Sequence, residues 1–84
     1  MNIRPECFRP GEDWLRPNGH EIREVLALAG LSGSQAARIL GLGHQGGRTV
    51  RRWTGDDSPI PFAAWAILCD LAGLGAIWRE SPHA

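Results

Sequence analysis

The sequence predicts an all-α fold, a small bundle of four to five short helices that follows an extended N-terminal arm. Three observations support this fold class. Apolar residues recur at helical spacing in several segments, two segments begin with a side-chain capping pair, and glycine or proline residues separate the segments. The 84 residues are enough for one domain with one modest core.

Residues 1–17 form the predicted arm, because they contain three prolines and show no helical period. Phe8 and Trp14 are large apolar side chains that can pin this arm to the core, with Ile3 or Leu15 helping. The domain itself is predicted at 18–78, and residues 79–84 are expected to fray.

The first helix is predicted to begin after Asn18 and to end at Gly30. Asn18 and Glu21 have the spacing of a capping box, and a glycine is the preferred residue just past a helix end. One apolar stripe at i, i+3, i+4 and i+7 faces the core, and its members are Ile22, Val25, Leu26 and Ala29.

The second helix is predicted to begin after Ser32, which forms a Ser-x-x-Gln capping box with Gln35. Gly41 ends the second helix, and Leu42 is the apolar residue that anchors the following turn to the core. Small side chains on its inner face allow a neighbouring helix to approach closely. The core-facing residues are Ala36, Ala37 and Leu40.

A third helix, predicted from about Gly46 to Trp53, carries three arginines within five positions. At about 100° per residue, its arginines fan over one side while Val50 and Trp53 point the other way. Such a helix fits a phosphate-lined groove, since guanidinium groups bind phosphates and guanine edges in a bidentate manner. The alternative is a solvated surface helix. The arginines concerned are Arg48, Arg51 and Arg52.

The fourth helix is predicted from about Pro61, at the first helical position, to Leu74. One apolar stripe comprises Phe62, Trp65, Ala66 and Cys69, and a second comprises Ala64, Ile67, Leu68, Leu71 and Leu74. Because a small core cannot cover both, the second stripe predicts a symmetric homodimer. The alternative is that Phe8 and Trp14 of the arm cover the excess.

Charge is unevenly distributed although the formal net charge is zero. Four arginines and no acidic residue lie between Gly30 and Gly55, so this segment presents a positive surface. The chain as a whole is not a polycation. Cys7 and Cys69 are too few for a disulfide framework, and Cys69 is expected to be buried. No signal peptide or membrane span is recognised, which predicts a cytoplasmic protein.

These elements resemble the Cro/repressor-type, or XRE-type, helix-turn-helix family. The resemblance covers about residues 21–74 and depends on separated anchors in the correct order. They are Gly30-Leu31-Ser32, Ala36-Ala37, Leu40-Gly41-Leu42, Thr49-Val50-Arg51-Arg52-Trp53, Gly55 and Pro59-Ile60-Pro61. The continuation after Pro59 is also similar to small phage or mobile-element regulators, including anti-CRISPR-associated repressors.

The turn departs from the family pattern, because it is about three residues longer. Gly43 stands where the family has serine, and His44 to Arg48 follow before Thr49. Either the loop bulges or the third helix gains a turn. We favour the loop, with the helix starting at Gly46 or Gly47, since each glycine costs a helix about 1 kcal/mol relative to alanine.

The resemblance implies double-stranded DNA as the partner. It places Arg48 and Arg52 on bases and Thr49 and Arg51 on phosphate, while His44 and Gln45 reach base edges if the longer loop enters the groove. Ser34 and Gln35 sit at a helix N-terminus that suits a phosphate. The full set of expected DNA contacts is Ser34, Gln35, His44, Gln45, Gly47, Arg48, Thr49, Arg51 and Arg52. Arginines of the arm are an alternative minor-groove contact.

Other functional signals are weak. Gly41 to Gly46 matches G-x-G-x-x-G, but a dinucleotide site needs a preceding strand in a βαβ unit, and the chain is too short. The histidines and cysteines lack metal-ligand spacing. We therefore expect no enzyme, cofactor, metal or small-molecule substrate.

The function that the sequence predicts is a dimeric transcriptional repressor that binds an inverted repeat through the major groove. The alternative is a protein-interaction module of the same fold, an antitoxin or phage inhibitor whose arginine face binds an acidic protein. Activation instead of repression stays open, since an exposed acid such as Asp56 or Asp57 can contact polymerase.

Overall fold

The structure, a computed structural model, describes residues 2–79. Every regular element in this range is helical, which confirms the predicted all-α fold class. Two short 3-10 helices, Pro5–Phe8 and Gly11–Asp13, precede four α-helices. The latter are α1 (Gly19–Ala29), α2 (Gly33–Ile39), α3 (Gly46–Thr54) and α4 (Phe62–Leu71).

The starts of α1 and α2 are set by the two predicted capping boxes. Asn18 Oδ1 accepts from the Glu21 amide at 2.9 Å, and Ser32 Oγ accepts from the Gln35 amide at 3.1 Å. In each box the second side chain accepts in return from the cap residue's own amide. Gly30 ends α1 with φ at 70°, a left-handed conformation that glycine adopts without strain.

The core lies where the four helices and the arm meet. It includes most of the predicted apolar faces of α1, α2 and α3, although Ala29 lies outside it and Leu40 is only partly buried against it. It also takes in Cys7 from the arm. Its members are Ile3, Cys7, Ile22, Val25, Leu26, Ala36, Ala37, Val50, Trp53, Ile60, Trp65, Ala66, Leu68, Cys69 and Ile77.

Helix α4 differs from its prediction in length and in one facing residue. Pro61 is the N-cap rather than the first helical residue, and the helix ends at Leu71 rather than Leu74. Gly73 then follows at a φ of 81°, which cannot continue a helix. Leu68 is fully buried within the chain, so it belongs to the core and not to the surface stripe predicted for it.

The N-terminal arm is compact rather than extended, and it packs on α4. Phe8 stacks on Trp65 with ring centroids 6.3 Å apart, and Trp14 meets Phe62 edge-on at 5.2 Å. The Trp65 indole N–H donates to the Cys7 carbonyl oxygen at 2.7 Å. The arm therefore covers Phe62 and Trp65 of the first apolar stripe of α4, whereas Ile67 and Leu71 of the second stripe stay exposed.

An ion pair with a buried carboxylate also holds the arm. Glu21 is 2% exposed, and its carboxylate accepts from the Arg4 guanidinium at 2.7 Å and from the Arg4 amide at 2.9 Å. From the sequence alone, Glu21 was expected only to cap α1. The missed partner lies 17 residues away, and only the fold brings it close.

Both cysteine thiols are buried and stay protonated. Burial, and then the nearby Glu21 carboxylate, raises the pKa of Cys7 to about 11, while burial raises the pKa of Cys69 to about 12. The expected burial of Cys69 is confirmed. Protonated, inaccessible thiols are poor nucleophiles, so their role is packing.

The C-terminal segment after α4 is described only as far as Arg79. The predicted short turn is present, since the Arg79 amide donates to the Ala76 carbonyl at 3.1 Å, and Ile77 enters the core. The tail expected to fray falls mainly at 80–84, outside the described residues. No helix between residues 2 and 79 is long and apolar enough to cross a membrane.

Close packing of α2 against α3 depends on Gly46. A Cβ at this position would lie 2.7 Å from the Ala37 Cβ and 2.8 Å from the Leu42 Cβ, which is closer than carbon atoms approach. We expect Gly46→Ala to destabilise the protein by about 1–3 kcal/mol in urea denaturation, because the helices must separate. Gly47→Ala is the matched control: its nearest contact is Ser34 Oγ at 3.7 Å, so it should be neutral or stabilising. Equal losses in both variants would contradict this explanation.

Candidate nucleic-acid interface

The turn between α2 and α3 has a defined path despite its extra length. Gly41 and Gly43 adopt left-handed conformations at φ of 69° and 76°. His44 and Gln45 follow as an exposed loop, and α3 begins at Gly46. The loop, and not an extended helix, therefore accommodates the extra residues, which confirms the interpretation favoured from the sequence.

Helix α3 is fixed to the core by its inner face. Val50 and Trp53 are 1% and 3% exposed, as expected from their spacing. Gly46 at the helix start is also buried, where it contacts Ala37 and Leu42. With both its first residue and its inner face packed, α3 has little freedom to rotate about its axis.

The outer face of α3 carries free positive charge. Arg48, Arg51 and Arg52 are all exposed, and none of their guanidiniums has a hydrogen-bond or ion-pair partner within residues 2–79. The span from α2 through α3 contains no acidic residue. An anion can therefore approach this face without displacing an internal partner.

A groove of about 400 Å³ lies between α2, the turn and the first turn of α3. Three predicted contact residues line it, namely Ser34, His44 and Gly47. Arg38, near the end of α2, lines the same groove and was missed as a site residue. The sequence feature that could have identified Arg38 is its place between Gly30 and Gly55, a segment without acidic residues.

The remaining predicted contact residues are partly engaged in local structure. Gln35 is exposed, but its side-chain oxygen accepts from the Ser32 amide, which leaves its NH₂ group for a ligand. The Thr49 hydroxyl donates to the Gln45 carbonyl at 3.2 Å. The Gln45 side chain is exposed and caps nothing.

The second stripe of α4 is exposed in part. Ile67 and Leu71 are 41% and 44% exposed, whereas Ala64 and Leu74 are partly buried against the core. Trp78 is 45% exposed and lines an apolar groove with Ile67, a contribution that sequence analysis did not foresee.

Comparison with known proteins assigns the chain to a family. No family model matches the sequence, and no solved structure matches it significantly. Two proteins of Escherichia coli, each named transcriptional repressor protein KorC, are 75% and 65% identical to it over 79 residues. The chain belongs to the KorC family. Both matches to KorC cover 94% of this chain and 93% of the relative, so the similarity includes the α2–turn–α3 unit.

Proposed function

We propose that the chain is a DNA-binding transcriptional repressor that inserts α3 into the major groove. The observation that carries the proposal is a set of three arginines on the exposed face of a helix whose other face is packed in the core, with no guanidinium partner among residues 2–79. The names of the KorC relatives support the repressor role. The XRE-type assignment, a phage or mobile-element setting and a cytoplasmic location are parts of the same proposal.

Each basic residue has a distinct role in this proposal. Arg48 and Arg52 read base edges, because guanidinium groups match the acceptors of guanine in the major groove. Arg51 and Thr49 bind phosphates, and the groove beside α2 takes a phosphate between Ser34 and Arg38. His44, Gln45 and the Gly47 backbone approach the DNA from the longer turn.

Binding to the DNA upstream of its own gene, measured at several salt concentrations, tests the proposal. We expect affinity in the nanomolar range, a steep fall with added salt and protection of two half-sites about one helical turn apart. Random duplex of equal length is the control. Equal binding to both duplexes would contradict sequence-specific repression and support the alternative, a module whose arginine face binds an acidic protein.

A symmetric dimer is the second part of the proposal, because two half-sites require two copies of α3. The arm already covers Phe62 and Trp65, so the surface left for a partner consists of Ile67, Leu71 and Trp78, with Ala64 and Leu74 at its border. Leu68 is omitted because it is buried within one chain.

Replacing one residue of this surface should separate the dimer. We expect Ile67→Glu to sediment as a monomer at tens of micromolar, because burial of an unpaired carboxylate opposes association. Leu28→Glu is the matched control, since Leu28 is 47% exposed on α1, outside the proposed surface. A dimer that persists in Ile67→Glu, or a wild-type monomer, would place the interface elsewhere or exclude it.

A further inference from the structure

The C-terminal end of α3 is fastened to the N-terminal end of α1. The Gly19 amide, the first of α1, donates to Asp56 Oδ1 at 2.7 Å. The Arg23 guanidinium donates to the Thr54 carbonyl oxygen. A Cβ at Gly19 would collide with that same oxygen, so a glycine is needed for the two helix ends to meet.

Asp56 adopts an unusual backbone conformation to make this contact. Its φ is 61°, and it is the only residue other than glycine with a positive φ among residues 2–79. Aspartate tolerates this region better than most residues, yet it is still unfavourable. A charge-assisted hydrogen bond at the positive end of the α1 dipole offsets that cost.

The negative charge of Asp56 also opposes the approach of DNA. Asp56 is exposed and follows the arginine helix by two residues, so its charge repels the same phosphates that the arginines attract. Asp56 therefore does not serve to attract DNA. A role in fixing the position of α3 relative to α1 is favoured instead.

We propose that Asp56 is a positioning residue for sequence recognition. By holding the Gly19 amide, it fixes the angle at which α3 presents Arg48 and Arg52 to base edges. Contacts with phosphate tolerate a small tilt of the helix, but bidentate contacts with bases do not. Asp56 thus determines specificity more than general affinity. This inference rests on the proposed DNA-binding function.

Two substitutions separate the positioning role from backbone strain and from charge. Asp56→Asn keeps a side-chain oxygen and tolerates a positive φ, while Asp56→Gly relieves the backbone and removes the acceptor. Both variants remove the same negative charge, so they should bind random duplex equally well. On the operator we expect Asp56→Gly to bind about tenfold more weakly than Asp56→Asn, which retains most of the preference. Tighter binding of both variants to both duplexes would show that Asp56 acts only as a repelling charge.

A measurement without DNA keeps this test separate from the proposed function. In ¹⁵N NMR of the free protein, the Gly19 amide should be protected from exchange in wild type and exposed in Asp56→Gly, while the core amides stay protected in both. A wild-type protein without operator preference would end the proposed function while leaving this bond established. Loss of Gly19 protection with full operator preference would overturn the positioning role.

Discussion

Arg52→Ala is expected to weaken operator binding by about 1–3 kcal/mol and to relax the sequence requirement at one base pair. The reason is that Arg52 lies on the exposed face of α3 and its guanidinium has no partner in the part of the chain that the structure describes, so its loss removes a DNA contact and leaves the fold intact. Arg51→Ala should instead weaken binding to all sequences alike and reduce the salt slope by about one. Binding titrations on the operator and on single-base variants measure both effects.

The arm provides the matched control for this experiment. Arg9 is an exposed arginine without a partner within residues 2–79, far along the chain from α3. Arg9→Ala makes the same change in net charge as Arg52→Ala, so it should lower affinity only slightly. An equal loss in Arg9→Ala would favour the minor-groove role of the arm. A uniform loss in Arg52→Ala on every sequence would reassign Arg52 to the phosphate backbone.

The helices that position the candidate interface could be predicted because their signals are local. A capping box needs two side chains three residues apart, and an inner face needs only the helical period. The start of α3 at Gly46 followed similarly from the low helix propensity of the two glycines before Arg48. The exposed arginine fan then followed from the burial of Val50 and Trp53.

What the sequence did not reveal depends on contacts between distant segments. Leu68 belongs to an apolar stripe that looks suitable for a partner, yet it is fully buried in the core of the chain. Prolines suggested an extended arm, although Pro5 starts a 3-10 helix as readily as it breaks an α-helix. The need for glycine at Gly46 and Gly19 is visible only once α2 and α1 are placed against α3.

Glu21→Gln is expected to reduce stability strongly, because Glu21 connects the arm to α1. Hydrogen bonds from the Arg4 side chain, and then from the Arg4 and Asn18 amides, lower the pKa of Glu21 from 4.5 to about 2. A carboxyl whose pKa is lower in the folded state stabilises the fold above its unfolded pKa, and this contribution disappears as the pH falls toward 2. At neutral pH we expect a loss of about 2 kcal/mol, less than the full shift implies, because Arg4 is half exposed to water.

The pH dependence distinguishes this ion pair from a general packing effect. Wild-type stability, measured by urea denaturation, should fall between pH 4.5 and pH 2, whereas Glu21→Gln should lack most of that fall. Glu24→Gln is the matched control, since Glu24 lies on the same helix without an ion-pair partner in residues 2–79 and should change stability by under about 0.5 kcal/mol. A parallel acid dependence in wild type and Glu21→Gln would show that the arm is held by its aromatic contacts alone.

Because the arm packs on α4 and α4 carries the proposed dimer surface, loss of this pair should also weaken dimerisation.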